Sequence, residues 1–234
     1  MTEQKKKAVV LLSSGLDSSV NLFEAAIRHE VVLALTFDYG QKAAKQEIAQ
    51  SAKLAAHLNI PHKILALPWF KDFNRSSLLM ENENVPTGDE VDIANHRQSL
   101  QTAKSVWVPN RNGIFLNIGA AFAEALDAAV VIPGFNAEEA TTFPDNSEAF
   151  MHQLSKSLAY STANHVEVEC ATVRLEKTEI VKKGIALQVP WNLLWPCYFS
   201  GNHWCGECES CLRSARAFKS AGVDVGGLYA KSIY

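Results

Sequence analysis

Two sets of residues in this 234-residue chain have the types and spacing to do chemistry: the run Ser13-Ser14-Gly15-Leu16-Asp17-Ser18, and the thiols of Cys197, Cys205, Cys208 and Cys211. The run lies between an apolar stretch, Val9-Val10-Leu11-Leu12, and a rhythm of Val20, Leu22, Phe23, Ala26 and Ile27 at helical spacing. A strand that ends in small residues and opens straight into a helix aims backbone N–H groups and the positive end of a helix dipole at one point. That point favours an anion, most often a phosphate. Asp17 adds negative charge beside it, and a Mg²⁺ ion bridging carboxylate and phosphate oxygens would reconcile the two. The plainer alternative is a tight turn with Asp17 as an N-cap. No Gly-Lys-Ser/Thr follows, so this is not a Walker-type loop, and the glycine spacing is not that of a dinucleotide fingerprint.

The four thiols form the pattern Cys-x7-Cys-x2-Cys-x2-Cys. Lys5-Lys6-Lys7 is followed by no apolar run of signal-peptide length, so the cytoplasm is the expected location and disulfides are not expected. Four soft ligands at this spacing suit a tetrahedral Zn²⁺ site, and Gly206 lets the backbone fold back so that both flanking thiolates face one ion. A redox dithiol would leave Cys197 idle, and an iron–sulfur cluster is the less common use of the spacing. His203 is a weaker candidate ligand, and Cys170 reads as a small core residue. Four protein ligands close zinc's coordination shell. The site is therefore expected to be structural and to pin the segment carrying Leu212-Arg213-Ser214-Ala215-Arg216.

These groups need elements to hold them. Strands are expected at 9–12, 31–37, 63–67 and 129–133, with a partly alternating edge strand at 166–173. Helices are expected from Ser18, at 43–58 (stopped by Asn59 and Pro61), 114–126, 148–164 and 176–187. The order implies an α/β fold with a parallel sheet and right-handed crossovers. From 68 to 101 the periodicity is lost, suggesting a long connection with one short helix at 76–80. Arg111 falls just before a helix, Lys177 near the start of another, and 134–139 reads as a polar loop.

Composition narrows the class. Hydrophobic residues make up 47% and charged residues 20%, which describes a soluble globular chain. The net charge of −3 gives no reason to expect nucleic acid. The longest apolar stretch, 120–133, is broken by Glu124 and Asp127 and is no membrane span.

The run at 13–18 resembles the Ser-Gly-Gly-x-Asp-Ser signature of PP-loop ATP pyrophosphatases, which cut ATP between its α and β phosphates; Ser14 replaces the first glycine. Four further motifs follow in order: Phe37-Asp38-Tyr39-Gly40-Gln41, Val108-Pro109-Asn110-Arg111-Asn112, Phe143-Pro144-Asp145, and Cys205-Gly206-x-Cys208-x-x-Cys211-x-Arg213. With them the chain resembles the 7-cyano-7-deazaguanine synthase (QueC) family over nearly its whole length.

The resemblance implies a Rossmann-like parallel five-stranded sheet of the adenine nucleotide alpha hydrolase (HUP-like) type over 1–190, with a small zinc-binding segment at 191–234. It implies ATP and Mg²⁺ as well as Zn²⁺, and 7-carboxy-7-deazaguanine and ammonia as substrates. The phosphates would be held by Ser13, Ser14, Gly15, Leu16, Asp17 and Ser18, with Leu12 behind them and Leu35, Thr36 and Phe37 flanking the adenine. Asp17, Ser18, Arg111 and Lys177 would serve the chemistry, Asp17 by placing Mg²⁺ and the two cations by meeting developing negative charge. A homodimer is expected, with 68–101 and the cysteine segment as candidate contacts. The loop at 134–146 differs from the family's usual Gly-Val-Asn-Ala-x-Asp-x-Ser-Gly-Tyr-Pro-Asp-Cys: Glu139 stands for Asp, Thr141-Thr142 for Ser-Gly, Phe143 for Tyr and Asn146 for Cys. Three alternatives remain at this point. One is a PP-loop ligase or amidase for another carboxylate or amine, and another is a tRNA-modifying PP-loop enzyme. The third is a zinc-stabilised nucleotide-binding module without turnover. Cys170, the only thiol outside the cluster, and the acidic balance weigh against the tRNA enzyme.

Overall fold

A computed structural model describes residues 5–73, 75–80 and 82–231, with only the backbone of His96 included; the outermost residues of both expected parts, 1–4 and 232–234, lie outside it. The described strands are β1 (Lys7–Leu11), β2 (Glu30–Asp38), β3 (His62–Ala66), β4 (Val130–Ile132) and β5 (Glu167–Val168). They form one parallel sheet in the order β3-β2-β1-β4-β5. The long helices are α1 (Leu16–Arg28), α2 (Ala44–His57), α4 (His96–Val106), α5 (Arg111–Ala125), α7 (Glu148–Ser161), α8 (Lys177–Ala186) and α9 (Glu209–Ser220), and the short ones α3 (Phe70–Phe73) and α6 (Ala137–Ala140).

The residues of β1 explain its central place. Ala8, Val9 and Val10 are wholly buried, and the period of two sends them to opposite faces. Ala8 and Val10 pack with Leu16, Val20, Ile180 and Phe218 on one side, and Val9 joins Leu35, Leu116 and Leu158 on the other. The first of these cores also takes in Trp195, Trp204 and Cys208, so the cysteine segment closes over the face covered by α1 and α8. Sheet growth reverses between β1 and β4. The connections leaving those two strands therefore part company, which opens a crevice at their carboxyl ends.

Several boundaries differ from expectation. Residues 76–80 form a turn, and the helices of the long connection are α3 and α4 instead. α4 buries one face at helical spacing, Ser99, Thr102, Ala103 and Val106, whose first half is polar: the Thr102 hydroxyl donates to Glu209 Oε2 at 2.9 Å. The connection is also tied to the cysteine segment, with Gly88 N–H donating to the Glu207 carbonyl at 3.1 Å. Arg111 is the first residue of α5 and not a loop residue before it. β5 is two residues long because the chain turns away after Glu169, where the Cys170 thiol donates toward the Phe135 carbonyl at 3.5 Å. The expected loop at 134–139 carries α6, capped by Asn136, whose side chain accepts from Glu139 N–H at 2.9 Å.

Candidate functional site: a phosphate turn, a buried acid–lysine group and a thiol cluster

The turn after β1 is built by its backbone. Leu12 N–H donates to the Leu35 carbonyl (2.7 Å), holding the strand end in register, and Trp195 N–H donates to the Ser14 carbonyl (2.7 Å). Ser14 has φ +57°, the left-handed region that glycine occupies at little cost and a serine tolerates when its side chain is tied down. Its hydroxyl donates to the Ser13 carbonyl at 2.6 Å and toward the Glu47 carbonyl at 3.3 Å. Ser14 thus shapes the turn while its side chain faces away from the cavity that Leu12, Ser13, Gly15, Leu16, Asp17 and Ser18 line. The Ser13 and Ser18 hydroxyls lie 3.1 Å apart. Gly15 caps α1 without a side chain, leaving the first-turn N–H groups to an outside acceptor.

At one wall of this cavity, of about 220 Å³, stands a buried ionic group. The Lys177 ammonium donates to Asp17 Oδ2 at 2.8 Å and meets Glu139 Oε1 at 2.8 Å. Burial pulls the Lys177 pKa down, but Asp17 and Glu139 outweigh it and hold the ammonium above the ordinary lysine range. Burial pushes Asp17 up against the opposing pull of Lys177, whereas in Glu139 the lysine overcomes burial and the carboxyl stays below its usual range. Asp17 Oδ1 is buried without a hydrogen-bond partner. An orphaned carboxylate oxygen beside a phosphate turn fits a hard divalent cation such as Mg²⁺. Gly134, after β4, closes the turn from above. A Cβ there would lie 2.5 Å from Ser18 N, so only glycine lets the two backbones meet.

The opposite wall is aromatic. Phe37 and Phe115 stack with centroids 4.1 Å apart at 14°, beside Thr36, whose hydroxyl donates to the Leu12 carbonyl at 2.7 Å. Leu35 is wholly buried and is not part of the lining. Arg111 enters from α5, its Nη1 donating to the Tyr39 hydroxyl at 3.4 Å. Burial works against its charge, but Tyr39 and Asp145 nearby more than restore it. Glu47, on α2, also lines the cavity. Burial raises its carboxyl to about 7 against the opposing hydrogen bond from Gln41 (2.8 Å).

Asp17, Ser18, Arg111 and Lys177 therefore converge on one cavity. Sequence reasoning passed over Glu139 as a lysine partner, Gly134 as a spacer, and Phe115, Tyr39 and Glu47 as lining. Tyr39 lay inside a quoted motif, but no spacing rule points to Phe115 or Glu47. Cys170 is not part of this lining, and burial raises its thiol pKa, as suits a core residue.

The second expected site also assembles. One sulfur from each of Cys197, Cys205, Cys208 and Cys211 lies within 4.8 Å of the others. Bonds of about 2.3 Å to a tetrahedral zinc ion place sulfurs about 3.8 Å apart, the separation of Cys205 Sγ and Cys211 Sγ (3.8 Å). Backbone N–H groups of Glu207 (3.4 Å) and Cys208 (3.3 Å) donate to Cys205 Sγ, and those of Phe199 (3.4 Å) and Cys205 (3.3 Å) to Cys197 Sγ, which suits thiolates. Gly206 has φ +80°, the reversal its position calls for. The donor set fits Zn²⁺, and exposed His203 is not part of it.

Comparison with known proteins bears on both sites. The family model described as "Queuosine biosynthesis protein QueC" matches residues 7–222. A 7-cyano-7-deazaguanine synthase of Bdellovibrio bacteriovorus is 65% identical over 97% of this chain and 99% of its own length. Proteins of the same name from Carboxydothermus hydrogenoformans and Pelotomaculum thermopropionicum are each 48% identical. The first covers 91% of this chain and 98% of its own length, the second 94% and 99%. With the turn at 13–18 near its start and the thiol cluster near its end, this chain belongs to the QueC family of queuosine biosynthesis proteins.

Proposed function

We propose that this chain is an ATP-dependent ligase that converts 7-carboxy-7-deazaguanine and ammonia into 7-cyano-7-deazaguanine (preQ0), a queuosine precursor. The observation that carries this reading is the near full-length identity to relatives of that name. The cavity supports it, because it joins a phosphate turn, a buried acid–lysine group and an arginine. Ser13, Gly15, Leu16, Asp17 and Ser18 hold the phosphates, with Ser14 fixing the turn, and Leu12, Thr36 and Phe37 flank the adenine. The substrate carboxylate attacks the α-phosphorus of ATP and pyrophosphate leaves. Ammonia then attacks the acyl carbon and displaces AMP, giving the amide. The amide oxygen attacks a second ATP, and loss of AMP and the two N–H protons leaves the nitrile.

Positioning and charge do most of this work. Arg111 meets negative charge between acid and phosphate, and Lys177, fixed by Asp17 and Glu139, neutralises the leaving pyrophosphate. The free oxygen of Asp17 would hold Mg²⁺, which when bound lowers the charge on the phosphates. Cys197, Cys205, Cys208 and Cys211 would hold a structural Zn²⁺ that fastens 191–234 onto the nucleotide-binding part, 1–190. The reading includes a homodimer in the cytoplasm and no nucleic-acid partner, in keeping with the net charge of −3. Among the described residues no helix is long and apolar enough to cross a membrane.

The test is incubation with ATP, Mg²⁺, ammonium and the acid, followed by mass spectrometry. Nitrile with two AMP and two pyrophosphates per turnover is expected. Pyrophosphate release with another acid and none with this one would instead place the chain among PP-loop ligases of different substrate.

A further inference from the structure

A second cavity, of about 130 Å³, opens out of the first and shares Leu78, Arg111, Glu139, Asn146, Tyr198 and Ser210 with it. Its own part of the lining is a second ring pair. Trp107, at the end of α4, and Phe143, after α6, present rings that are parallel to within 4°, with centroids 6.0 Å apart. Trp107 is 36% exposed, large for an aromatic side chain in a cavity wall. Parallel rings from two separate connections offer a flat face on which a planar heterocycle can stack. Three carboxylates also reach this cavity, and two are already engaged. Glu139 is held by Lys177, and Glu209 accepts from Thr102 and Arg213. The third, Asp145, feels the Arg111 guanidinium and receives amide donors, with Asn146 Nδ2 at 3.3 Å, and among the described residues has no salt bridge at contact distance. An ionised carboxylate only accepts hydrogen bonds, so the edge it best recognises carries adjacent N–H donors.

We propose that this second cavity is the base subsite of the acid substrate: the heterocycle stacks on Trp107 and Phe143, and the Asp145 carboxylate accepts from the ring N–H and exocyclic amino group of its guanine-like edge. The proposal rests on the substrate reading above and deepens it. A base so held turns its carboxyl substituent toward Arg111, at the junction with the nucleotide cavity, where the carboxylate must meet the α-phosphorus. It also explains why Phe143 can stand where the family usually has tyrosine: stacking uses the ring face, and Asp145 supplies the polar reading.

The test is steady-state kinetics of the full-length, zinc-loaded protein with the acid substrate and with its analogue lacking the exocyclic amine. Asp145→Asn should raise KM for the acid by about 100-fold while leaving KM for ATP unchanged. It should also erase the wild-type preference for the 2-amino compound over the analogue, a coupling that a merely structural role would not produce. Trp107→Ala should raise the same KM by about 10- to 100-fold. A wild-type protein that makes nitrile, together with an Asp145→Asn variant of unaltered KM and preference, would overturn the subsite and leave the function standing. A wild-type protein that neither binds nor converts this acid, yet releases pyrophosphate with another, would overturn both.

Discussion

The turn at 13–18 and the thiol cluster at 197–211 both gather polar groups at one point, and they do so in opposite ways. The turn is held by backbone: Leu12 N–H on the Leu35 carbonyl, Trp195 N–H on the Ser14 carbonyl, and a helix start left open at Gly15. Its geometry exists before any ligand arrives. The cluster lies in a stretch whose described β contacts are isolated bridges, Thr87 with Cys208 and Trp204 with Tyr229, and its four sulfurs, within 4.8 Å of one another, could be held together by an ion. The difference teaches where each site is vulnerable. The phosphate turn should lose function without losing its fold, and the cluster should lose its fold first. The two are also linked, because Trp195 touches the turn and Cys197 lines the cavity beside it.

Cys208→Ser should break the comparison hardest. Removing a wholly buried ligand should leave zinc-free, aggregating protein without activity, measured by metal content and thermal melting. A soluble, zinc-free, fully active variant would contradict a structural role. Asp17→Ala should do the reverse: pyrophosphate release falls by about 10³-fold or more, while zinc content stays at the wild-type level and the melting temperature moves by only a few degrees. Gly134→Ala tests the backbone contact that lets the turn close. With a Cβ 2.5 Å from Ser18 N, activity should drop by about 10-fold or more and stability by about 1–3 kcal/mol. Glu47→Gln, in the wall of the same cavity, should have the smallest effect, a change in the pH dependence of stability. The native Glu47 pKa is about 7 against an ordinary 4.5, so the stability its neutral form contributes is whole below pH 4.5 and is lost as pH rises through 7. The variant should lack that decline, a few kcal/mol at most, in denaturant titrations between pH 4.5 and 8.

Much of the frame was legible in the sequence because it is periodic. The buried run of β1, the amphipathic α2 and the spacing of the cysteines each carry a local signal. α4 was missed for a physical reason: the first half of its inward side is Ser99 and Thr102, which pair with other polar groups, so only Ala103 and Val106 mark an apolar rhythm. Its start was nonetheless marked by Asn95, whose side chain accepts from Arg97 N–H (3.1 Å) and Gln98 N–H (3.2 Å). β5 was overdrawn because the alternation of 166–173 continues past the point where its partner β4 ends. In the site, Asp17 and Lys177 were named separately, but the Glu139 bridge between α6 and α8 is a property of the fold alone. Ser14 is the converse case. It stands where the signature has glycine, and its side-chain hydrogen bonds hold a left-handed backbone.

The central claim is that the crevice between β1 and β4 makes a carboxylate, and then an amide, attack the α-phosphorus of ATP. Supplying the acid with both carboxylate oxygens as ¹⁸O and reading the products by mass spectrometry tests it directly. One ¹⁸O in every AMP and none in pyrophosphate is the predicted result. Unlabelled AMP, or label in pyrophosphate, would contradict it.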